Sequence, residues 1–360
     1  MIRLLSGDGP GGRLVSIAVL AIFLSLAFAP FVFEGTRALD TAARICVLIV
    51  LAASFDLLLG YAGIVSFAHT MFFGLGAYGV ALSSLHMGRG FEALAAGTAA
   101  GAGAAAVLAL VIGLFSLRVR AIFFAMITLA VASAVAVLVS QLSQITGGED
   151  GLTYRIPRAL TAAADHGTVP AFAIGGDLVL GGQRITGKIA NYYLVFGGAL
   201  LLFLLMLRLV NSPFGRVLQA IRENDYRAES IGYSVVRYRI AISVISAVIA
   251  ALAGSLFAIW LRYVGPDTTL SFELMIDILL MVVIGGMGTL WGAVIGAVLL
   301  VLAQSYLRDV MGSAAERMAD LPLLPQLLDP DRWLLWLGLL FVLSVYFFPS
   351  GIVGRLRGRR

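Results

Sequence analysis

Residues 211–239 read NSPFGRVLQAIRENDYRAESIGYSVVRYR, a polar stretch with five arginines and three acids set between long apolar runs. What surrounds it decides the fold. The chain of 360 residues is 60% hydrophobic and only 12% charged, with a mean hydropathy of +0.99, which places it among polytopic membrane proteins. Apolar runs near the ~20 residues that cross ~30 Å of hydrocarbon occur at about 14–33, 42–59, 63–84, 93–117, 121–142, 190–210, 240–261, 272–289, 291–307 and 333–348. These runs are continuously apolar and rich in Leu and Ala, whereas barrel strands alternate over ~10 positions. The expectation is therefore an all-α, polytopic integral membrane protein with one transmembrane domain over 1–360. Ten transmembrane helices are expected; Gly-rich breaks at 60–63 and 285–288 blur two boundaries and admit eight to ten.

The first run has a basic start (Arg3, Arg13) and an Ala27-Phe28-Ala29 end that imitates a signal-peptide cleavage site, but further spans follow at once, so it is read as a retained helix. Arginine and lysine bias across short loops sets orientation. With both termini cytoplasmic, the inner segments hold Arg3, Arg13, Arg118, Arg120, the six arginines of 208–239 and Arg355, Arg357, Arg359 and Arg360, which is 14 of the 25 basic residues. Most acids then fall outside, among them Glu149, Asp150, Asp165 and Asp177. The 211–239 stretch is thus a cytoplasmic loop and 143–189 an extracytoplasmic one. The net charge of +5 is accounted for by this topology and calls for no nucleic acid partner. The single cysteine, Cys46, lies inside a span, which excludes a disulfide framework or a thiolate metal cluster and reads as a buried, inert thiol. No metal site is expected.

Within the cytoplasmic loop, Ser212-Pro213 reads as an N-cap followed by proline at the first helical position. Phe214, Val217, Leu218 and Ile221 then share one helical face. Asp225 is placed to cap a second short helix, with Ala228 and Ile231 on one face, Gly232 as its left-handed terminus and Ser234 starting the next span. A basic inner loop needs no partner by itself. Caps, apolar face and closing glycine together describe a compact knob suited to a groove on another protein.

The run Ser212-Pro213-Phe214-Gly215-Arg216-Val217-Leu218-Gln219-Ala220-Ile221-Arg222-Glu223-Asn224, followed by Ala228-Glu229-Ser230-Ile231-Gly232, resembles the cytoplasmic loop of permease subunits from bacterial high-affinity branched-chain amino acid ABC importers, the LivM type of the LivH/LivM permease family. The resemblance continues in Gly60-Tyr61-Ala62-Gly63-Ile64-Val65-Ser66-Phe67-Ala68-His69, in Thr146-Gly147-Gly148-Glu149-Asp150-Gly151 and in Gly285-Gly286-Met287-Gly288-Thr289-Leu290-Trp291-Gly292. It implies a permease domain in the bacterial cytoplasmic (inner) membrane, working with a second homologous permease, two cytoplasmic ATPase subunits and an extracytoplasmic solute-binding protein. It also implies that 211–239 is a coupling loop, with Arg216, Arg222, Glu223, Asn224, Asp225, Ala228, Glu229 and Gly232 at the ATPase. Gly232 matches the glycine of the general importer pattern Glu-Ala-Ala-x-x-x-Gly and Ala228 its second alanine, while Tyr226 and Arg227 stand where that pattern has Glu-Ala. This chain lacks a Gly-x-x-x-x-Gly-Lys-Ser/Thr phosphate loop. ATP and Mg are accordingly expected on the partner ATPases, and no cofactor on this chain.

Ionisable residues at membrane depth are functional-site candidates. Asp56 precedes the Gly60 break by one turn, and Asp277 precedes Gly285 by about two. Each lies on a helix followed by a glycine break and a returning helix, which hints at a parallel internal repeat. One reading sets Asp56, Gly60, Gly63, Ser66, His69, Gly285, Gly286 and Gly288 along a translocation path with unwound backbone at the breaks. The other has Asp56 satisfied by a neighbouring hydroxyl or helix N-terminus, and His69 by a backbone carbonyl. Related permeases often carry Asn at the position of Asp56, and a carboxylate there can alter solute preference or bind a proton or basic group. Asp277, one turn after Glu273 near the outer end of its span, reads as a snorkelling side chain. Gly97, Gly101 and Gly103 mark a close helix packing face, and Trp291, Trp333 and Trp336 read as interfacial anchors.

The leading function is a transport subunit without chemistry of its own, for branched-chain amino acids by resemblance, with urea, amides or aromatic and other carboxylic acids as alternative solutes. An ion-coupled secondary transporter has no use for a capped docking knob. An intramembrane hydrolase would need Asp56 and Asp277 as a proton-sharing dyad, or Ser66 and His69 as nucleophile and base on one helical face.

Overall fold

A computed structural model describes residues 12–32, 35–116, 121–161, 179–180, 183–184, 187–317, 330–347 and 351–357. The helices are α1 (Arg13–Ala27), α2 (Thr36–Asp56), α3 (His69–Met87), α4 (Phe91–Ser116), α5 (Ala121–Gln141), α6 (Gly187–Val210), α7 (Pro213–Glu223), α8 (Asp225–Ser230), α9 (Val235–Leu261), α10 (Phe272–Gly285), α11 (Leu290–Arg317), α12 (Trp333–Phe347) and α13 (Gly351–Arg357). Each of the ten apolar runs carries a helix. Among the described residues seven helices are long and apolar enough to cross a membrane, and Leu14–Ala27 and Trp333–Ser344 are shorter apolar helices. The third expected span begins later than its apolar run, at His69, because residues 62–68 are not helical. The chain termini, Arg3, Arg118, Arg120, Arg359, Arg360, Asp165 and Asp177 lie outside the described residues, so ten spans and the side of each terminus stay expectations.

In a bilayer, lipid tails are as apolar as leucine, so helices associate through close packing and hydrogen bonds. The centre of this bundle follows that rule. The apolar window of α2 is 89% buried while that of α5 is 17% buried, which makes α2 the axis and α5 peripheral. Around the axis, small residues bring backbones together: a side chain on Gly76 would meet the Ala251 backbone, one on Gly254 the Phe73 carbonyl, and one on Gly79 the backbone of Gly97 and Gly101. Gly97 and Gly101 thus form the expected packing face, whereas Gly103 faces open space. Buried hydroxyls add polar ties: Ser246 donates to the Ser54 carbonyl at 2.6 Å and Ser255 to that of Gly76 at 3.1 Å. The first helix is fastened in the same way, since the hydroxyls of Tyr192 and Tyr193 donate to the carbonyls of Leu26 and Ala27.

The two ends of the bundle differ. At the end opposite 211–239, Leu152–Thr153 pairs antiparallel with Tyr263–Val264. The turn before it uses Gly147, Gly148 and Gly151 at positive φ, which leaves Glu149 and Asp150 exposed. The Tyr263 hydroxyl donates to the Asp150 carbonyl at 3.1 Å. Burial pushes the Tyr154 hydroxyl, which donates to the Ala258 carbonyl at 2.6 Å, above the usual phenol range. Trp291 corrects an expectation: it is 7% exposed and meets Phe203 edge-on at 5.5 Å, so it fills the core and is no interfacial anchor.

Because Gly254 abuts backbone that cannot move aside, Gly254→Val should lower the melting temperature of the detergent-solubilised protein by several degrees or abolish its folded yield, through overpacking of roughly 1–3 kcal/mol or more. Gly103→Val, in open space, should melt like the unaltered protein. Both are read by thermal denaturation followed by size-exclusion chromatography.

Candidate functional site: the glycine breaks and the knob

The stretch 211–239 folds as its sequence suggests. Ser212 Oγ caps α7 by accepting from Gly215 N at 3.4 Å, Pro213 begins the helix, and Leu218 and Ile221 are buried. Phe214 stacks on Tyr238 of α9, which holds α7 against the bundle end. The cap of α8 is Asn224 rather than Asp225: its Oδ1 accepts from Arg227 N at 2.9 Å. Asp225 is instead the first helical residue and pairs with Arg239 at 2.6 Å. Gly232 closes the helix at φ +95°, with its N–H to the Glu229 carbonyl. Ala228 is buried as expected, but Ile231 points outward at 67% exposure beside Tyr226 at 84%. The knob therefore presents two bare apolar side chains among exposed Arg216, Glu223, Arg227 and Glu229.

Beneath the knob the two glycine breaks meet. α2 widens into a π-helical turn, Leu57–Tyr61, before the chain unwinds; such turns free backbone carbonyls and cluster at functional sites. The second break lies between α10 and α11, with Gly286 and Gly288 at positive φ. Asp56, fully buried, accepts from Gly288 N at 2.9 Å, and the Tyr61 hydroxyl accepts from Leu290 N at 3.3 Å. A carboxyl group this deep is tolerated only when hydrogen-bonded, and the backbone N–H of the second break serves that need. Arg222 of α7 reaches in to donate to the Gly60 carbonyl, with its stem against Gly63. A side chain at Gly60 would strike Asp56 and Gly288 N, and one at Gly288 would strike Arg222. Glycine is required at Gly60 by the space and favoured at Gly288 by a φ of +82°. Asp56, Gly60, Gly63, Gly288 and Arg222 thus form one junction.

Other residues named from sequence lie around or away from it. Gly285 packs against the Gly292 backbone, and Gly286 meets Gly351 of α13. Ser66 sits before α3, its Oγ accepting from Ala68 N at 3.4 Å. His69 begins α3, fully buried, with Nε2 at 2.8 Å from Ser54 Oγ. Ser66 precedes the helix that His69 begins, so the two do not share a helical face. Asp277 accepts from Gln304 Nε2 at 2.8 Å and lines a cavity of about 760 Å³ at the other end of the bundle. That cavity escaped the sequence reading, although Arg37, Asp40 and Arg44 recur at helical spacing on one face of α2 and signalled it. Among the described residues no group of three His, Cys, Asp or Glu side chains can hold a metal ion.

A helical bundle with a buried axial helix, broken helices meeting inside it and apolar outer faces is a multi-pass membrane protein. Residues 37–345 match the family model described as branched-chain amino acid transport system / permease component. The chain is 30% identical over 312 residues to the high-affinity branched-chain amino acid transport system permease protein LivM of Escherichia coli K12, covering 84% of this chain and 70% of that one. It is 30% identical over 308 residues to LivM of Salmonella typhimurium, covering 82% and 69%, and 30% identical over 157 residues to a probable LivM of Methanocaldococcus jannaschii, covering 43% and 44%. No solved structure matches. The chain belongs to this permease family of the ABC importers.

Asp56→Asn keeps an oxygen for Gly288 N and should leave the melting temperature within a few degrees of the original. Asp56→Leu strands that N–H inside the bundle and should cost about 1–3 kcal/mol. Thermal melts of the two variants, run side by side, check the tie.

Proposed function

We propose that this chain is one of two homologous permease subunits of a bacterial inner-membrane ABC importer for branched-chain amino acids. Two cytoplasmic ATPases, which carry the ATP and Mg, grip the knob, and an extracytoplasmic solute-binding protein delivers the solute at the opposite face. The chain does no bond chemistry. One observation carries this reading: the knob that offers Tyr226 and Ile231 to a partner is the element that inserts Arg222 into the junction of the glycine breaks.

In this reading, a shift of α7 driven by closure of the ATPases pulls or releases the Gly60 carbonyl. Because Gly60 lies one turn from Asp56 and Asp56 is bonded to Gly288 N, both broken helices receive the same displacement. The exposed turn at Glu149 and Asp150 lies at the face that would receive the binding protein. The solute assignment rests on the family and on the names of the relatives.

Purification of the tagged chain from its native membrane, with mass spectrometry of what accompanies it, tests the assembly. The expected companions are a second permease and a chain carrying a Walker phosphate loop. Ile231→Asp with Tyr226→Ala, both at exposed positions, should remove the ATPase and keep the permease. Purification of the unaltered chain alone, or an ATPase retained in full by the double variant, would overturn the reading.

A further inference from the structure

The cavity at the end opposite the knob lies inside this one chain, walled by α2, α6, α9 and α10. Its ~760 Å³ falls in the range of small-molecule sites, roughly 300–1,000 Å³. Phe73, Phe257 and Trp260 contribute apolar wall, while four cationic and four acidic side chains line the rest. Part of that charge is already neutralised, since Lys188 pairs with Asp40 at 3.2 Å and Arg37 with Asp309 at 2.8 Å. Arg44 and Asp277 are not paired with each other. The side-chain amide of Gln304 stands between them, accepting from Arg44 at 3.4 Å and donating to Asp277 at 2.8 Å.

That amide has the polarity of an amino acid head group: oxygen toward the guanidinium, N–H toward the carboxylate. An α-amino acid would present its carboxylate and ammonium in the same sense. Asp277 sits in a membrane-grade helix and forms no salt bridge among the described residues, and such carboxylates face water-filled cavities on solute paths.

We propose that this cavity is a recognition site, within the permease chain itself, for a zwitterionic α-amino acid with an apolar side chain. Arg44 takes the carboxylate, Asp277 takes the ammonium, and the side chain rests on Phe257 and its aromatic neighbours. A solute bearing one charge alone would leave Arg44 or Asp277 with the neutral Gln304 amide in place of an opposite charge. The inference rests on the permease reading, in which this end of the bundle faces outward.

The test uses the complex purified from native membrane and washed free of soluble binding protein, titrated with L-leucine, isopentylamine and 4-methylpentanoate while its melting temperature and tryptophan fluorescence are followed. L-Leucine should raise the melting temperature, with the amine and the acid at equal concentration giving far less. Arg44→Gln and Asp277→Asn should each weaken the leucine response roughly tenfold or more, and their melts without leucine control for folding. No response to leucine, an equal response to the singly charged analogues, or full response in both variants would overturn the site. Mass spectrometry of the same sample separates the two failures: an absent ATPase counts against the importer reading, whereas a present ATPase with no variant-sensitive leucine response counts against the cavity alone.

Discussion

The hydrogen bond from Gly288 N to Asp56 Oδ1 joins residues 232 positions apart in sequence and sets the geometry on which the rest depends. It fixes the end of the axial helix against the second break. That contact leaves no room for a side chain at Gly60, and Gly288 makes it at a φ of +82° that favours glycine. Once the breaks abut, the Gly60 carbonyl is turned out of the helical ladder and becomes an acceptor for Arg222, 162 positions away. A helix lying across the end of the bundle is thereby bonded to the bundle's interior.

This arrangement gives the molecule two faces with different physics. At one, a short amphipathic helix and a capped turn hold apolar side chains in the open, a surface whose burial by a partner is favourable. At the other, charges of both signs surround a cavity inside the helices, a surface suited to a small dipolar solute. Between them runs α2, the most buried of the long apolar helices. It carries Arg44 about two turns after its start and Asp56 at its end. From the Gly60 carbonyl, which Arg222 of the knob holds by a hydrogen bond, the chain runs back along this helix to the cavity wall.

How much of this was legible depended on range. Ser212, Pro213 and Gly232 act within a turn of themselves, and the sequence named their roles; Asn224 and Asp225, adjacent and both able to cap, were exchanged because local spacing does not separate them. Helices were found because apolar runs of this length have few alternatives in a bilayer. The start of α3 was misplaced because residues 62–68 are as apolar as a helix yet are held unwound by contacts from elsewhere. Trp291 looked like an anchor by its place near a span end, but its neighbour Phe203 comes from another helix. The alliance of Asp56 with Gly288 and of Arg222 with Gly60 depends on tertiary approach, which no periodicity encodes. The cavity was missed for a related reason, since Arg37 and Asp40 precede the apolar run at 42–59 and the other walls come from helices distant in sequence.

The central claim is that Arg222 carries motion from the docked knob to the broken helices, and one measurement addresses it most directly: ATP hydrolysis and leucine uptake in proteoliposomes holding the whole importer with Arg222→Gln. The account expects the ATPases to stay bound and to hydrolyse ATP while uptake per ATP falls roughly tenfold or more, the loss of a charged hydrogen bond to a buried carbonyl. Unchanged uptake per ATP in a complex that assembles normally would contradict it.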